Sequence, residues 1–334
     1  MAITFNGVFP LRKVFLLGLG LWLATFPAVA APAPKQPTYR VVGTAVSSQD
    51  VTEIVTLLNE LVSASNRHDS ETILKHYSPR FVSGDNLNLD QLRQLIEDTW
   101  KMYPDIRYES IPLEIRFNGD WATVETLDTS KATARMDASA NKPLGPMQTG
   151  LMTSRSRGML YLKRVGKTWE VQSDNTLYET ATISYGDASK LNVQLSAPDQ
   201  VFAGEPYSAK VSVDMPEVGF AIASIAKDVL VFPQRQPDEK FRSLTAENTQ
   251  LERVFDANQT NHNEMITVTI GLTQVGQDAQ NRPSVKLDGI TTVVKRVNVL
   301  PKSRLASEND SPMVNTSARG EGSVSPNAKE PHTP

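Results

Sequence analysis

Apolar positions recur every three to four residues in three bursts between residues 50 and 104. In "DVTEIVTLLNELVSAS" the residues Ile54, Leu57, Leu58, Leu61 and Val62 form one stripe, and Asp50 with Glu53 three positions later has the spacing of a helix start. Asp69 and Ser70 open a second, shorter helix through Ile73, Leu74 and Tyr77, which Pro79 closes. Asn88 with Gln91 opens a third, whose stripe of Leu92, Leu95, Ile96 and Tyr103 stops at Pro104.

The period then changes to two. Ile111, Leu113, Ile115 and Phe117 alternate up to "NGD", a hairpin turn, and the chain returns as "WATVETLDTS". After a polar excursion from about 130 to 157, "GMLYLKRVGKTWEVQS" makes a second hairpin, with Leu160 and Leu162 on one arm and Trp169 and Val171 on the other. Helices followed by antiparallel strands predict an α+β unit with helices on one face of the sheet. From Leu191 no helical stripe appears; "PYSAKVSVDM", "DVLVFP", "MITVTIGLTQV" and "ITTVVKRVNVL" alternate between turn residues, which predicts a separate β-sandwich. Extending the first sheet instead would enlarge one core beyond the usual size.

The two ends differ from this patterned middle. "LRKVFLLGLGLWLATFPAVAA" has a basic start, an apolar run and small residues at Ala28 and Ala30, the layout of a signal peptide cleaved after Ala30. The other reading is an uncleaved anchor, for which an apolar run of about 17 residues is at the short limit. Residues 31 to 48 begin as an Ala/Pro-rich linker, and the stretch 303 to 334 has too few apolar residues to offset the entropy of ordering, so a disordered tail is expected. The domains expected are therefore residues 49–188 and 189–302, between a leader, a linker and a tail.

Composition narrows the chemistry. The chain has no cysteine, which excludes disulfides, thiolate metal sites and cysteine nucleophiles. Of 34 Lys plus Arg, Arg12 and Lys13 leave with the leader; against 37 Asp plus Glu the remainder is acidic by about 5 charges, with no nucleic-acid footprint. His68 and His76 lie eight apart across a helix break with no third ligand at a recognisable spacing, so no metal and no cofactor is expected. Neither a nucleophile elbow nor a phosphate-binding glycine loop is present.

The order of capped helix, "HDSETILKHYSPRFVS", third helix, long hairpin and "RVGKTWEVQSDNTLYE" resembles the NTF2-like superfamily, from about Gln49 to Gly186. "LSAPDQVFAGEPYSAKVSV" similarly resembles the opening of a bacterial immunoglobulin-like domain. The fold this implies is an NTF2-like cone, three helices on a curved antiparallel sheet, followed by an all-β immunoglobulin-like sandwich. Aligned with ketosteroid isomerase-like members, Asp85 takes the place of their proton-abstracting carboxylate. Leu61 takes the place of their oxyanion-stabilising tyrosine and cannot donate a hydrogen bond. "SGDN" around Asp85 is also ordinary turn chemistry.

Tyr77, Trp100, Tyr103, Trp121, Tyr161 and Trp169 are the candidate lining of a concave sheet, and as a set they suit an apolar guest, although aromatic residues in such positions also build cores. The function expected is that of an exported, periplasmic or secreted, non-enzymatic binding or assembly module, with no membrane span once the leader is gone. Its partner would be a small apolar ligand or another envelope protein, a second copy of the chain included. The rival expectation is an isomerase, dehydratase or hydrolase acting on a small apolar substrate with Asp85 as general base.

Overall fold

The structure, a computed structural model, describes residues 39–43, 47–135, 149–214, 220–234, 237–245, 248–277 and 283–302. The expected leader, most of the linker, the core of the polar excursion and the tail lie outside the described residues.

Local signals account for the helices. Helix α1 runs Ser48–Asn66, α2 Ser70–Leu74 and α3 Leu89–Met102. Asp69 caps α2 by accepting from the Thr72 amide at 3.0 Å, and Asn88 with Gln91 closes a reciprocal capping box on α3. The first cap differs from expectation. Ser47, not Asp50, accepts the orphan amide, which is that of Asp50 itself at 3.0 Å, and this frees the Asp50 carboxylate to pair with Arg164.

Strands β1 (Arg40–Val42), β2 (Arg107–Asn118), β3 (Trp121–Arg135), β4 (Thr149–Val165) and β5 (Thr168–Gly186) make the first part of the sheet. After a 3-10 turn at Asp187–Lys190 come β6 (Val193–Ser196), β7 (Gln200–Phe202), β8 (Pro206–Val213), β9 (Phe220–Val229), β10 (Arg242–Leu244), β11 (Gln250–Asp256), β12 (Glu264–Gln277) and β13 (Pro283–Leu300).

The expected fold class does not hold. Among the described residues ten strands form one mixed sheet in the order β1-β2-β3-β4-β5-β13-β12-β9-β10, with β7 added beside β13. The last long strand pairs antiparallel with β5, Thr180 to Gly186 lying opposite Gly289 to Lys295. A self-contained cone followed by an independent sandwich would leave β5 as an edge; here that edge is completed by a strand more than a hundred residues later. Among the described residues, β11-β8-β6 form a second, three-stranded sheet. Two glycines permit close approach on either side of the C-terminal end of β5, Gly150 on β4 and Gly289 on β13. A β-carbon on Gly150 would come within 2.3 Å of the Ser184 carbonyl oxygen, and one on Gly289 within 2.2 Å of the Ala188 amide nitrogen.

The large sheet is covered on opposite faces along its length. Helices α1 to α3 pack on one face, with Ile54, Leu61, Ile73, Phe81, Ile115, Val124, Leu162 and Val171 in a core that reaches Val294 and Met265. The three-stranded sheet packs on the other face, with Val211, Phe255, Ile266, Val268, Val293 and Val297. Because side chains alternate along a strand, β13 serves both cores: Val293, Val297 and Val299 point to the second, Val294 to the first.

Candidate functional site

The segment from Phe81 to Asn88 forms a lip over β5. Ser83 Oγ accepts from the amides of Asp85 (3.2 Å) and Leu87 (3.0 Å), the Gly84 amide donates to the Asp174 carbonyl at 2.8 Å, and Ser173 Oγ donates to the Val82 carbonyl at 2.6 Å. This is turn geometry of the kind "SGDN" suggests. The Asp85 carboxylate, however, is committed to the far half of the sheet. Arg296 on β13 donates from Nη1 to Oδ2 at 2.8 Å and from Nη2 to Oδ1 at 2.6 Å, and Asn263 Nδ2 donates to Oδ1 at 2.8 Å. Arg296 is 2% exposed, and its Nε donates to Asn298 Oδ1 at 2.7 Å. A bidentate arginine pair of this kind is among the strongest side-chain contacts.

Behind the lip a polar row crosses the helix-side face of the sheet. Asp128 pairs across strands with Ser110 on one side and Ser156 on the other, and Ser156 pairs with Glu179. One step beyond the Thr180–Lys295 pair, the register sets Glu179 opposite Arg296. Asp128 is buried; Ser110 Oγ donates to its Oδ1 at 2.6 Å and Thr126 Oγ1 to its Oδ2 at 2.8 Å. Burial pushes its carboxyl up to about 7, against the pull of those two hydroxyls. Glu179 is pushed up to about 8 by burial, with Arg296 working downward and Asp85 upward. Asp174 is raised to about 6, again chiefly by burial. Gly158 leaves the sheet bare beside Asp128: a β-carbon there would lie 3.6 Å from both Asp128 Oδ2 and Thr126 Oγ1.

Sequence reasoning missed this row, although the signal existed. Ala122 and Val124 face the helices, and continuing the period of two in "WATVETLDTS" places Thr126, Asp128 and Ser130 on the same face. Ser130 and Ser154 continue the polar surface, with hydroxyl oxygens 2.7 Å apart.

The aromatic candidates divide. Tyr77, Trp100, Tyr103 and Trp169 are buried on the helix side. Tyr77 packs edge-on to Phe81 at 4.9 Å, and burial together with Asp174 and Asp128 raises its phenol well above the ordinary range. Trp100 stacks on His68 at 4.8 Å, and Trp169 meets Phe117 edge-on at 5.8 Å. Trp121 is 46% exposed with Lys163 over its ring, and Tyr161, paired opposite Thr123, is on the same outward face, so these two do not join the others.

His68 adopts a left-handed backbone (φ 58), and burial followed by Arg107 lowers its pKa. His76 sits with Nε2 3.1 Å from Glu60 Oε2; burial lowers its pKa more than Glu60 raises it. Among the described residues no group of three or more His, Cys, Asp or Glu side chains could hold a metal ion. Among them, too, no helix is long and apolar enough to cross a membrane.

No family model and no curated protein matches the chain. Among solved structures, part of the chain is similar to a candidate dehydratase from the NTF2-like family of Streptomyces avermitilis, at 13% identity over 39% of this chain and 97% of that one, with a TM-score of 0.29. A protein from Kribbella flavida matches at 9% identity over 38% of this chain and 88% of its own, with a TM-score of 0.31.

Proposed function

We propose that the chain is an exported, non-catalytic binding or assembly module. The observation that carries this reading is the state of Asp85: both carboxylate oxygens accept from Arg296, and Asn263 adds a third donor. A carboxylate engaged in this way has both oxygens committed to holding a buried guanidinium, which is the work of a structural ion pair. The basic start, apolar run and "AVA" site support export. The test is a paired substitution, Asp85→Leu with Arg296→Met, which removes both charges together. A folded double variant should still complement a strain lacking the gene. A folded variant without function would return Asp85 to a catalytic role.

Asp128 favours a second reading. A carboxyl titrating at about 7, held by two hydroxyls beside a bare glycine, is poised to move a proton in either direction. In that reading the chain is an acid–base enzyme whose working carboxyl is Asp128 in place of Asp85. Asp128→Asn, which preserves shape, would then abolish function while the fold survives.

A further inference from the structure

Away from the polar row, a groove of about 510 Å³ runs between α1 and the turn joining β4 to β5. That volume is in the range of small-ligand sites. Its floor is apolar, made by Leu57 and Trp169. One wall is the stripe of α1 that carries Gln49, Thr52, Glu53, Thr56 and Glu60, positions three and four apart that share a helix face.

The α1 wall is rich in acceptors, and the donors enter from the other side and the floor, where the exposed Lys167, His76 and the buried indole N–H of Trp169 also line the groove. Thr52 Oγ1 donates to the Ser48 carbonyl at 2.9 Å and Thr56 Oγ1 to the Thr52 carbonyl at 2.8 Å; opposite them Thr168 Oγ1 donates to the Val165 carbonyl at 3.2 Å. Each hydroxyl has spent its one proton on the backbone and offers the groove lone pairs only. Gln49 Nε2 donates to Glu53 Oε1 at 2.8 Å, leaving the amide oxygen as an acceptor as well.

The carboxylates add acceptors without adding much net charge. Glu60 is matched by Lys75 at 2.6 Å, while Arg164 pairs with Asp50 and lies 3.9 Å from Glu53 Oε2. With Lys167 at the opposite rim, positive and negative groups around the groove come close to balance, so neither a cationic nor an anionic guest meets a site of opposite sign. A purely apolar guest would strip water from those oxygens without replacing its hydrogen bonds, which is costly. What fits is a neutral molecule with many hydroxyls, able to donate to the α1 wall and accept from Lys167, and with an apolar side for the floor.

We propose that this groove is a binding site for a neutral polyhydroxylated ligand, a saccharide, whose hydroxyls donate to the oxygens of Thr52, Thr56, Glu53 and Glu60. The site is separate from the polar row and does not depend on whether Asp85 or Asp128 acts.

The experiment titrates the full chain with maltose and with N,N′-diacetylchitobiose, following the indole N–H signal of Trp169, assigned by its loss in Trp169→Phe. At least one disaccharide should shift that signal saturably. Thr56→Val keeps the branched shape on the groove-facing side of α1 and removes an acceptor; Glu60→Gln removes a charge. Each should weaken binding about three- to tenfold, and Thr123→Val, on the opposite face of the sheet, should leave it unchanged. Three results would overturn the proposal: no saturable shift with either sugar up to about 10 mM, affinity indifferent to both groove substitutions, or equal binding of permethylated maltose, which has no hydroxyl to donate.

Discussion

Replacing Asp85 with asparagine tests how the lip is held to the rest of the sheet. The Arg296 side chain is 1% exposed, so its charge has no recourse to bulk water, whereas the Asp85 side chain is 23% exposed. Breaking a buried pair by neutralising one partner typically costs about 3 to 5 kcal/mol. Two features reduce that here. Water can reach the substituted side chain, and Glu179, opposite Arg296, can ionise in place of Asp85. With Glu179 titrating at about 8, ionising it near pH 7 costs on the order of 1 kcal/mol, and less once the Asp85 charge that raises it is gone. A net loss of about 2 kcal/mol near neutrality follows.

This substitution also has a pH signature. Near pH 5.5, ionising Glu179 costs roughly 3 kcal/mol, so the replacement counter-charge is withheld and nearly the full loss should appear. Near pH 8.5 Glu179 is already charged and the loss should shrink towards about 1 kcal/mol. Urea unfolding of the wild type, Asp85→Asn, Arg296→Met and the double variant at both pH values would measure this, with a coupling of about 2 kcal/mol expected at neutrality. A loss below about 0.5 kcal/mol, or one that does not change with pH, would refute the reasoning.

Three further outcomes are expected. Leu74→Ala, which empties a core site under the sheet, should cost about 2 to 5 kcal/mol by thermal or urea unfolding. Asp128 and Glu179 titrate in the fold at about 7 and 8, above their ordinary values, so their contribution to stability is fully present below about pH 4 and lost as pH rises through 7 to 8; the urea midpoint should fall between about pH 4 and 8, and less steeply in Asp128→Asn. A fragment ending at residue 190 lacks the partner of β5 from Thr180 to Gly186 and should aggregate or stay unfolded by circular dichroism, and a sharp cooperative melt would contradict this.

The helices were legible because their signals are local. Asp69 three residues before Thr72, and Asn88 three before Gln91, specify their caps without reference to the rest of the chain. The first cap was misread by three residues because "SSQD" offers more than one side chain able to accept an orphan amide. The hairpins were legible for the same reason. What a strand does with its free edge is not a local property: alternation says which side chains share a face and is silent about the next strand. "ITTVVKRVNVL" has the same alternation whether it completes an independent sandwich or docks on β5. Its one local hint, Arg296 among valines, is masked by the neighbouring Lys295, which pairs with Asp199.

The same strand accounts for the ion pair that engages Asp85. A sheet whose cover changes face needs, at the crossover, strands buried on both sides, and such strands have no solvated face for a charge. β13 nevertheless places Arg296 and Asn298 on the helix side, between the apolar Val293, Val297 and Val299 that face the other way. A buried guanidinium there requires a carboxylate from outside its own strand, and a short-turned lip that projects over β5 delivers one. The turn residues around Asp85 are therefore what an ion pair between distant segments demands, and a proton-abstracting carboxylate on a turn would carry the same residues. Spacing along the chain cannot separate these two uses; the pairing with Arg296, more than two hundred residues away, is the observation that favours the first.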